Sequence, residues 1–197
     1  MIDDDRDHRQ AVRERMRARR AALDVEWVAR ASHVISEQVQ QSMPISHESA
    51  VCIYMSLPGE VQTSELARFV LDSRARLAVP RVVRGVSGMT VHEVSDLERD
   101  LEPGVWGIPT PRAECPEMPP FEIDLVLVPG LAFDASLHRI GNGGGYYDRF
   151  LAAATDASTV GLFFSHQQVD TCHPQAWDVS LDRIVNELSV LERPGQL

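Results

Sequence analysis

The run Leu-Val-Leu-Val at 125–128, closed by Pro129-Gly130, has no polar residue at alternate positions. A strand with one wet face would alternate, so this one needs cover on both sides, the condition of a strand inside a parallel sheet. Val51 to Leu57 (VCIYMSL) repeats the pattern and stops at Pro58-Gly59, as a buried strand ending at a turn would. Strands are also predicted over 75–83 (interrupted by Pro80), 89–94, 159–164 and 183–191.

Helical spacing fills the intervals. From Arg6 to about Leu23, Val12, Met16 and Leu23 share one face while Arg9, Arg13 and Arg17 share another. Asp24 is a good N-cap for a second helix carrying Val28, Ala31, Ile35 and Val39 inward. Thr63 opens a third, with Leu66, Val70 and Leu71 facing the core, and a fourth is predicted over 146–154. Alternating strands and helices predict an α/β protein, a three-layer α/β/α sandwich around a mainly parallel sheet, as a single domain over 1–197. Residues 1–45 supply its N-terminal helices. Six of the twelve prolines lie in 96–120. Because apolar Trp106 and Ile108 sit there, this stretch reads as an ordered loop or lid rather than a linker.

Composition removes function classes. A net charge of -10 disfavours general attraction to nucleic acid or an anionic membrane, and no apolar stretch approaches ~18 residues. The amino-terminal MIDDDRDHRQ lacks the character of a secretory leader. Cys52, Cys115 and Cys172 are far apart and in no zinc spacing. A cytoplasmic protein with reduced thiols is expected. All 19 basic residues are arginine, so a side chain gripping phosphate here would be a guanidinium, suited to bidentate contact.

The densest chemistry lies in Arg139 to Asp148, RIGNGGGYYD. Gly141, Gly143, Gly144 and Gly145 leave backbone N–H groups free to converge on one anion ahead of a helix start. Arg139 adds a charge at the entrance, and Asp148 a carboxylate suited to magnesium. The pattern is neither a Walker A loop nor a dinucleotide G-x-G-x-x-G. Locally it reads as an anion site, with an ordinary glycine turn as the bland alternative.

The run VPGLAFD followed by RIGNGGGYYDRFL resembles the signature of the 5-formyltetrahydrofolate cyclo-ligase family, PG-x-x-FD then RLG-x-GGG-Y/F-YDR-x-L. Arg9 and Arg13 match the family's basic pair on its first helix, and YMSLPGEVQTSEL matches its Y-x-x-x-x-x-E-x-x-T-x-x-L. LAVPRVV, PGVWGIPTP and WDVSLDRIVNE follow in the family's order. Leu137 stands where the family often has Gly, Asn142 where some members have Arg, Trp177 where the tail usually has His, and Asn186 where Thr is common.

This resemblance implies ATP- and Mg2+-dependent cyclisation of 5-formyltetrahydrofolate to 5,10-methenyltetrahydrofolate, with release of ADP and phosphate. It implies ATP contacts from Arg9, Arg13, Arg139, Gly141, Asn142, Gly143, Gly144, Gly145, Tyr146 and Tyr147. Met55, Glu60, Trp106 and Tyr146 would meet the folate; Glu60, Arg139 and Tyr147 would take part in the chemistry. Asp148 is the expected metal ligand, with Asp182 or Asp178 as the second and Asp182 preferred. The departures at Leu137, Trp177 and Asn186 keep an alternative open, a nucleotide- or folate-binding relative with little turnover. A monomer is favoured.

Overall fold

The structure, a computed structural model, describes residues 2–82 and 88–193. Helices α1 (Ile2–Ala21) and α2 (Val25–Ser42) come first. Asp24 caps α2: its Oδ1 accepts the Trp27 N–H at 2.8 Å, which stabilises a helix start by ~1 kcal/mol. Then follow β1 (Ala50–Cys52), α3 (Ser64–Asp72), β2 (Arg76–Arg81), β3 (Thr90–Val94) and the hairpin β4 (Leu101–Pro103) and β5 (Pro109–Pro111). The second half holds β6 (Leu125–Val128), the small hairpin β7 (Ala132–Phe133) and β8 (Arg139–Ile140), α4 (Tyr146–Leu151) and β9 (Ser158–Leu162). The hairpin β10 (Arg183–Val185) and β11 (Val190–Glu192) comes last.

Seven strands of the described residues form one sheet in the order β11-β10-β9-β6-β1-β2-β3. The inner five run parallel; β3 and β11 flank them antiparallel. Side chains of the central strands divide between two cores. Val51, Leu125, Leu127 and Val160 meet Val28, Ile35 and Val39 of α2 and Leu66 and Val70 of α3. Cys52, Val126, Val128 and Ile184 meet Phe150 and Leu151 of α4 on the other face. The unalternated apolar runs therefore reflect cover on both faces, and the three-layer expectation holds.

Several boundaries differ from the periodicity reading. β1 ends at Cys52 rather than Leu57, because the chain leaves the sheet to turn at Gly59, whose φ is +75°. Thr63 stands at the start of α3 without capping it; its Oγ1 donates to Tyr54 O at 2.5 Å, tying the helix start to the departing strand. Pro80 does not interrupt β2: it lies beyond the last β1–β2 partners, Cys52 and Ala78, where only β3 pairs with the strand. Proline is tolerated at such an edge. The single strand expected over 183–191 is a hairpin, its turn held by Asn186 Oδ1, which accepts N–H from Leu188 and Ser189 at 2.9 Å each. Asn186 is thus a turn residue. The strand reading over 75–83 includes Val83, which lies outside the described residues.

Candidate active site

The carboxyl ends of β1, β2 and β6 open onto a cleft of about 720 Å³, where ligands of such sheets bind. One wall is α1. At about 100° per residue, positions 9, 13, 17 and 20 form a single stripe, and all four arginines line the cleft. Val12 and Met16, on an adjoining face, seat the helix against Leu131, Ala132 and Ile140 of the β7–β8 hairpin. The arginine targets run in order along the helix. Arg9 pairs with Asp178 and also donates to His173 O at 3.1 Å. Arg13 Nε donates to Gly141 O at 3.1 Å, Arg17 Nη2 to Asn142 O at 2.9 Å, and Arg20 Nη1 to Glu60 Oε1 at 2.7 Å.

Arg9, Arg20 and Arg139 each hold a carboxylate. Among the described residues Arg13 and Arg17 pair with none; they hold only loop carbonyls. Burial, then the fields of Arg9 and Arg17, push the Arg13 guanidinium below its ordinary range. Cations crowded this way gain the most from an arriving anion.

The glycine loop faces this stripe. Gly143 has φ +106°, and a Cβ there would lie 3.8 Å from Arg13 Nε. Gly145, φ +63°, is the left-handed N-cap of α4. α4 stops at Leu151 instead of Ala154 and spans only six residues. Its dipole is correspondingly small, so loop N–H groups and guanidiniums supply most of the positive field. Arg149 Nη2 donates to Gly144 O at 2.9 Å, with its guanidinium 5.4 Å from the centre of the Tyr146 ring.

Arg139 is buried, its Nη2 on Asp148 Oδ1 and its Nη1 on Val179 O, each at 2.9 Å. Asp134, the acid of the Phe-Asp pair, serves the scaffold: its Oδ1 accepts N–H from Ser136 and His138, and its Oδ2 from Cys172.

At the other end of α1, Glu60 accepts Arg20 through Oε1 and the Leu57 N–H through Oε2 at 3.0 Å. Burial raises the Glu60 pKa, opposed by the Leu57 N–H and by Arg20. The buried Tyr147 hydroxyl has no hydrogen-bond partner among the described residues. Burial holds its pKa well above the usual phenol range, reinforced by Cys52, Tyr54 and Glu60. Met55, Pro80, Met89, Val105 and Ile108 make this end apolar. The 96–120 stretch therefore reaches the cleft through Val105, Ile108 and Thr110. Trp106 belongs to the turn Val105–Gly107, but its side chain lies outside the described ones.

Asp182 is not brought to the cleft. It precedes β10, at the amino ends of the parallel strands, and its Oδ2 accepts the Thr159 N–H at 2.8 Å and Oγ1 at 2.9 Å. This corrects the choice of Asp182 as second metal ligand: Asp178 and Asp148 are the aspartates that line the cleft. Among the described residues no cluster of three or more His, Cys, Asp or Glu side chains could hold a metal. Two carboxylates beside an anion cradle fit magnesium, which takes one or two carboxylates together with substrate phosphates. Neither His138 nor His166 lines the cleft, and Cys52 and Cys172 are buried thiols with raised pKa values.

Fold and cleft together define an α/β protein whose ligand site is cationic and glycine-rich at one end and apolar at the other. Residues 5–187 match the 5-formyltetrahydrofolate cyclo-ligase family, and the chain belongs to that family. The 5-formyltetrahydrofolate cyclo-ligase of Saccharomyces cerevisiae is 30% identical over 187 residues, 83% of this chain and 88% of the relative. A probable 5-formyltetrahydrofolate cyclo-ligase of Caenorhabditis elegans is 26% identical over 187 residues, 89% of this chain and 91% of the relative. The solution structure of Aquifex aeolicus 5,10-methenyltetrahydrofolate synthetase superposes with a TM-score of 0.82 at 29% identity, covering 96% of this chain and 95% of that one.

Proposed function

We propose that the protein closes 5-formyltetrahydrofolate to 5,10-methenyltetrahydrofolate, driven by ATP and releasing ADP and phosphate. The observation that carries the reading is the pair Arg13 and Arg17, free of carboxylates beside a glycine loop, with mostly buried Glu60 held by Arg20 farther along the same helix. Family membership supplies the reaction; the cleft supplies its parts.

A formyl oxygen is a poor leaving group. It first attacks the γ-phosphate, ADP departs, and the carbon becomes electrophilic. N10 then bonds to that carbon, loses its proton, and phosphate leaves. Arg13, Arg17 and the loop N–H groups hold the triphosphate and neutralise its charge, which is most of what phosphoryl transfer asks of a protein. The Tyr147 hydroxyl, kept protonated by its high pKa, donates to a γ-phosphate oxygen, where charge gathers as the phosphorus is attacked. Glu60, ionised against Arg20, accepts the proton from N10, a base whose raised pKa improves proton affinity. Met55 and Tyr146 contact the folate. Asp148 and Asp178 would hold a magnesium ion, which adds positive charge on the phosphate oxygens.

Three free thiols support residence in a reducing cytoplasm, and no described helix is long and apolar enough to cross a membrane. The reading is tested by following methenyl absorbance with ATP and magnesium both present, and with each omitted. Product only in the complete mixture is expected. Folate binding without product in any mixture would replace the enzyme by a binding protein.

A further inference from the structure

Trp177 is 72% exposed yet lines the cleft, and the reaction scheme above makes no use of it. Its position is fixed by its neighbours. Residues 175–178 form a turn closed by the Asp178 N–H on Gln175 O at 3.0 Å and the Gln175 N–H on Asp178 Oδ2 at 2.9 Å. Asp178 is gripped by Arg9, and Val179 O accepts Arg139 at 2.9 Å. The turn that presents Trp177 is therefore pinned to two buried guanidiniums.

Two independent orderings say which end of the cleft Trp177 serves. Along α1, Arg9 and Arg20 are about 16 Å apart at 1.5 Å per residue. Arg9 holds the Trp177 turn, Arg20 holds Glu60, and Arg13 and Arg17 hold the glycine loop between them. Across the sheet, the apolar wall of Pro80, Met89, Val105 and Ile108 comes from β2, β3 and the β4–β5 hairpin, on one side of β1. The glycine loop, reached from β6 through the β7–β8 hairpin, and the Trp177 turn, which precedes β10, come from the other side.

With folate at Glu60 and the triphosphate on the glycine loop, as proposed above, the rest of the nucleotide extends away from Glu60, towards Arg9. We propose that Trp177 is the platform on which the purine base of that nucleotide stacks. This rests on the cyclo-ligase reading of the cleft. An exposed indole offers a π-face and asks nothing of the base's hydrogen-bonding edges. The site should therefore accept guanine as well as adenine nucleotides, losing affinity chiefly when the base is missing.

The test compares full-length wild type, Trp177→Ala and Trp177→Phe by calorimetric titration with ADP and with inorganic tripolyphosphate, then by kinetics. Removing an exposed side chain leaves no cavity, and equal thermal midpoints would confirm intact folding. The expected result is about tenfold weaker ADP binding in Trp177→Ala, largely restored in Trp177→Phe, with tripolyphosphate affinity unchanged. KM should rise for ATP and not for the folate. The proposal is overturned by unchanged ADP affinity, by equal loss for ADP and tripolyphosphate, or by a change confined to the folate KM. A wild type that binds ADP but makes no methenyl product would sink the reaction reading, while the ADP comparison would still decide the role of Trp177.

Discussion

Arg20 and Glu60 are joined at 2.7 Å from the far end of α1 to the turn after β1, and each side chain is mostly buried. Burial raises the Glu60 pKa, and Arg20 is one of the contacts that pull it back. The other group that lowers it is the Leu57 N–H, and the Glu60 charge in turn helps to raise the pKa values of Tyr54 and Tyr147. Removing Arg20 removes a lowering influence, so the carboxylate must protonate at higher pH. Arg20→Met is therefore expected to move the acid limb of kcat/KM for the folate to higher pH, and Arg20→Lys to restore most of the wild-type profile. An acid limb that stays in place in Arg20→Met would remove Glu60 as the titrating base.

The two tail aspartates should separate by function. Asp178 lines the cleft, whereas Asp182 bonds Thr159 at the amino ends of β9 and β10. Asp178→Asn is expected to raise the magnesium concentration needed for half-maximal rate by tenfold or more, on the order of a lost charged ligand. Asp182→Asn should leave that concentration unchanged and lower stability by about 1–3 kcal/mol, the cost of weakening hydrogen bonds to a charged acceptor. Rate titrations with magnesium, paired with urea melts, read both, and the reverse pattern would restore Asp182 as the ligand.

Much of this was legible in the sequence because it depends on local pattern. The unalternated runs at 51–57 and 125–128 announced strands covered on both faces, and Asp24 announced its own cap. The stripe 9, 13, 17 was visible, and its extension to Arg20 follows from the same period. The partner of Arg20 was not visible, because it depends on how closely the 58–60 turn packs against α1: a Cβ on Gly59 would lie 2.6 Å from Arg20 Cγ. Nor could spacing choose between Asp178 and Asp182, four residues apart. That choice depends on where β10 begins, and short strand ends are set by pairing with neighbours rather than by propensity.

Within the glycine loop the positions should differ in tolerance. Gly143 holds φ +106°, a region closed to side chains, while a Cβ at Gly141 meets nothing within 4 Å. Gly143→Ala is expected to distort the cradle and raise KM for ATP at least tenfold, at a conformational cost of about 1–3 kcal/mol. Gly141→Ala should stay within about threefold of wild type. Measuring KM for ATP in both variants checks this, and equal effects would mean that the loop's conformation does not set its affinity.

Leu137 occupies the position where the family often has glycine, and its φ of +64° supplies the reason for that preference. A left-handed conformation costs a side-chain-bearing residue about 1–2 kcal/mol. Here it is offset by burial at 3% exposure in the core beneath α4, and by backbone bonds at 3.0 Å to Asp134 O and 2.9 Å from the Leu181 N–H. Truncation loses the buried side chain in any case, typically about 2–5 kcal/mol. Alanine keeps the backbone strain while glycine relieves it. Leu137→Gly should therefore be more stable than Leu137→Ala by about 1 kcal/mol, the opposite of the order at ordinary positions, where glycine is worse by about 0.5–1 kcal/mol. Denaturant midpoints of the two variants decide the matter: a more stable alanine variant would show that the Leu137 backbone does not pay the left-handed cost.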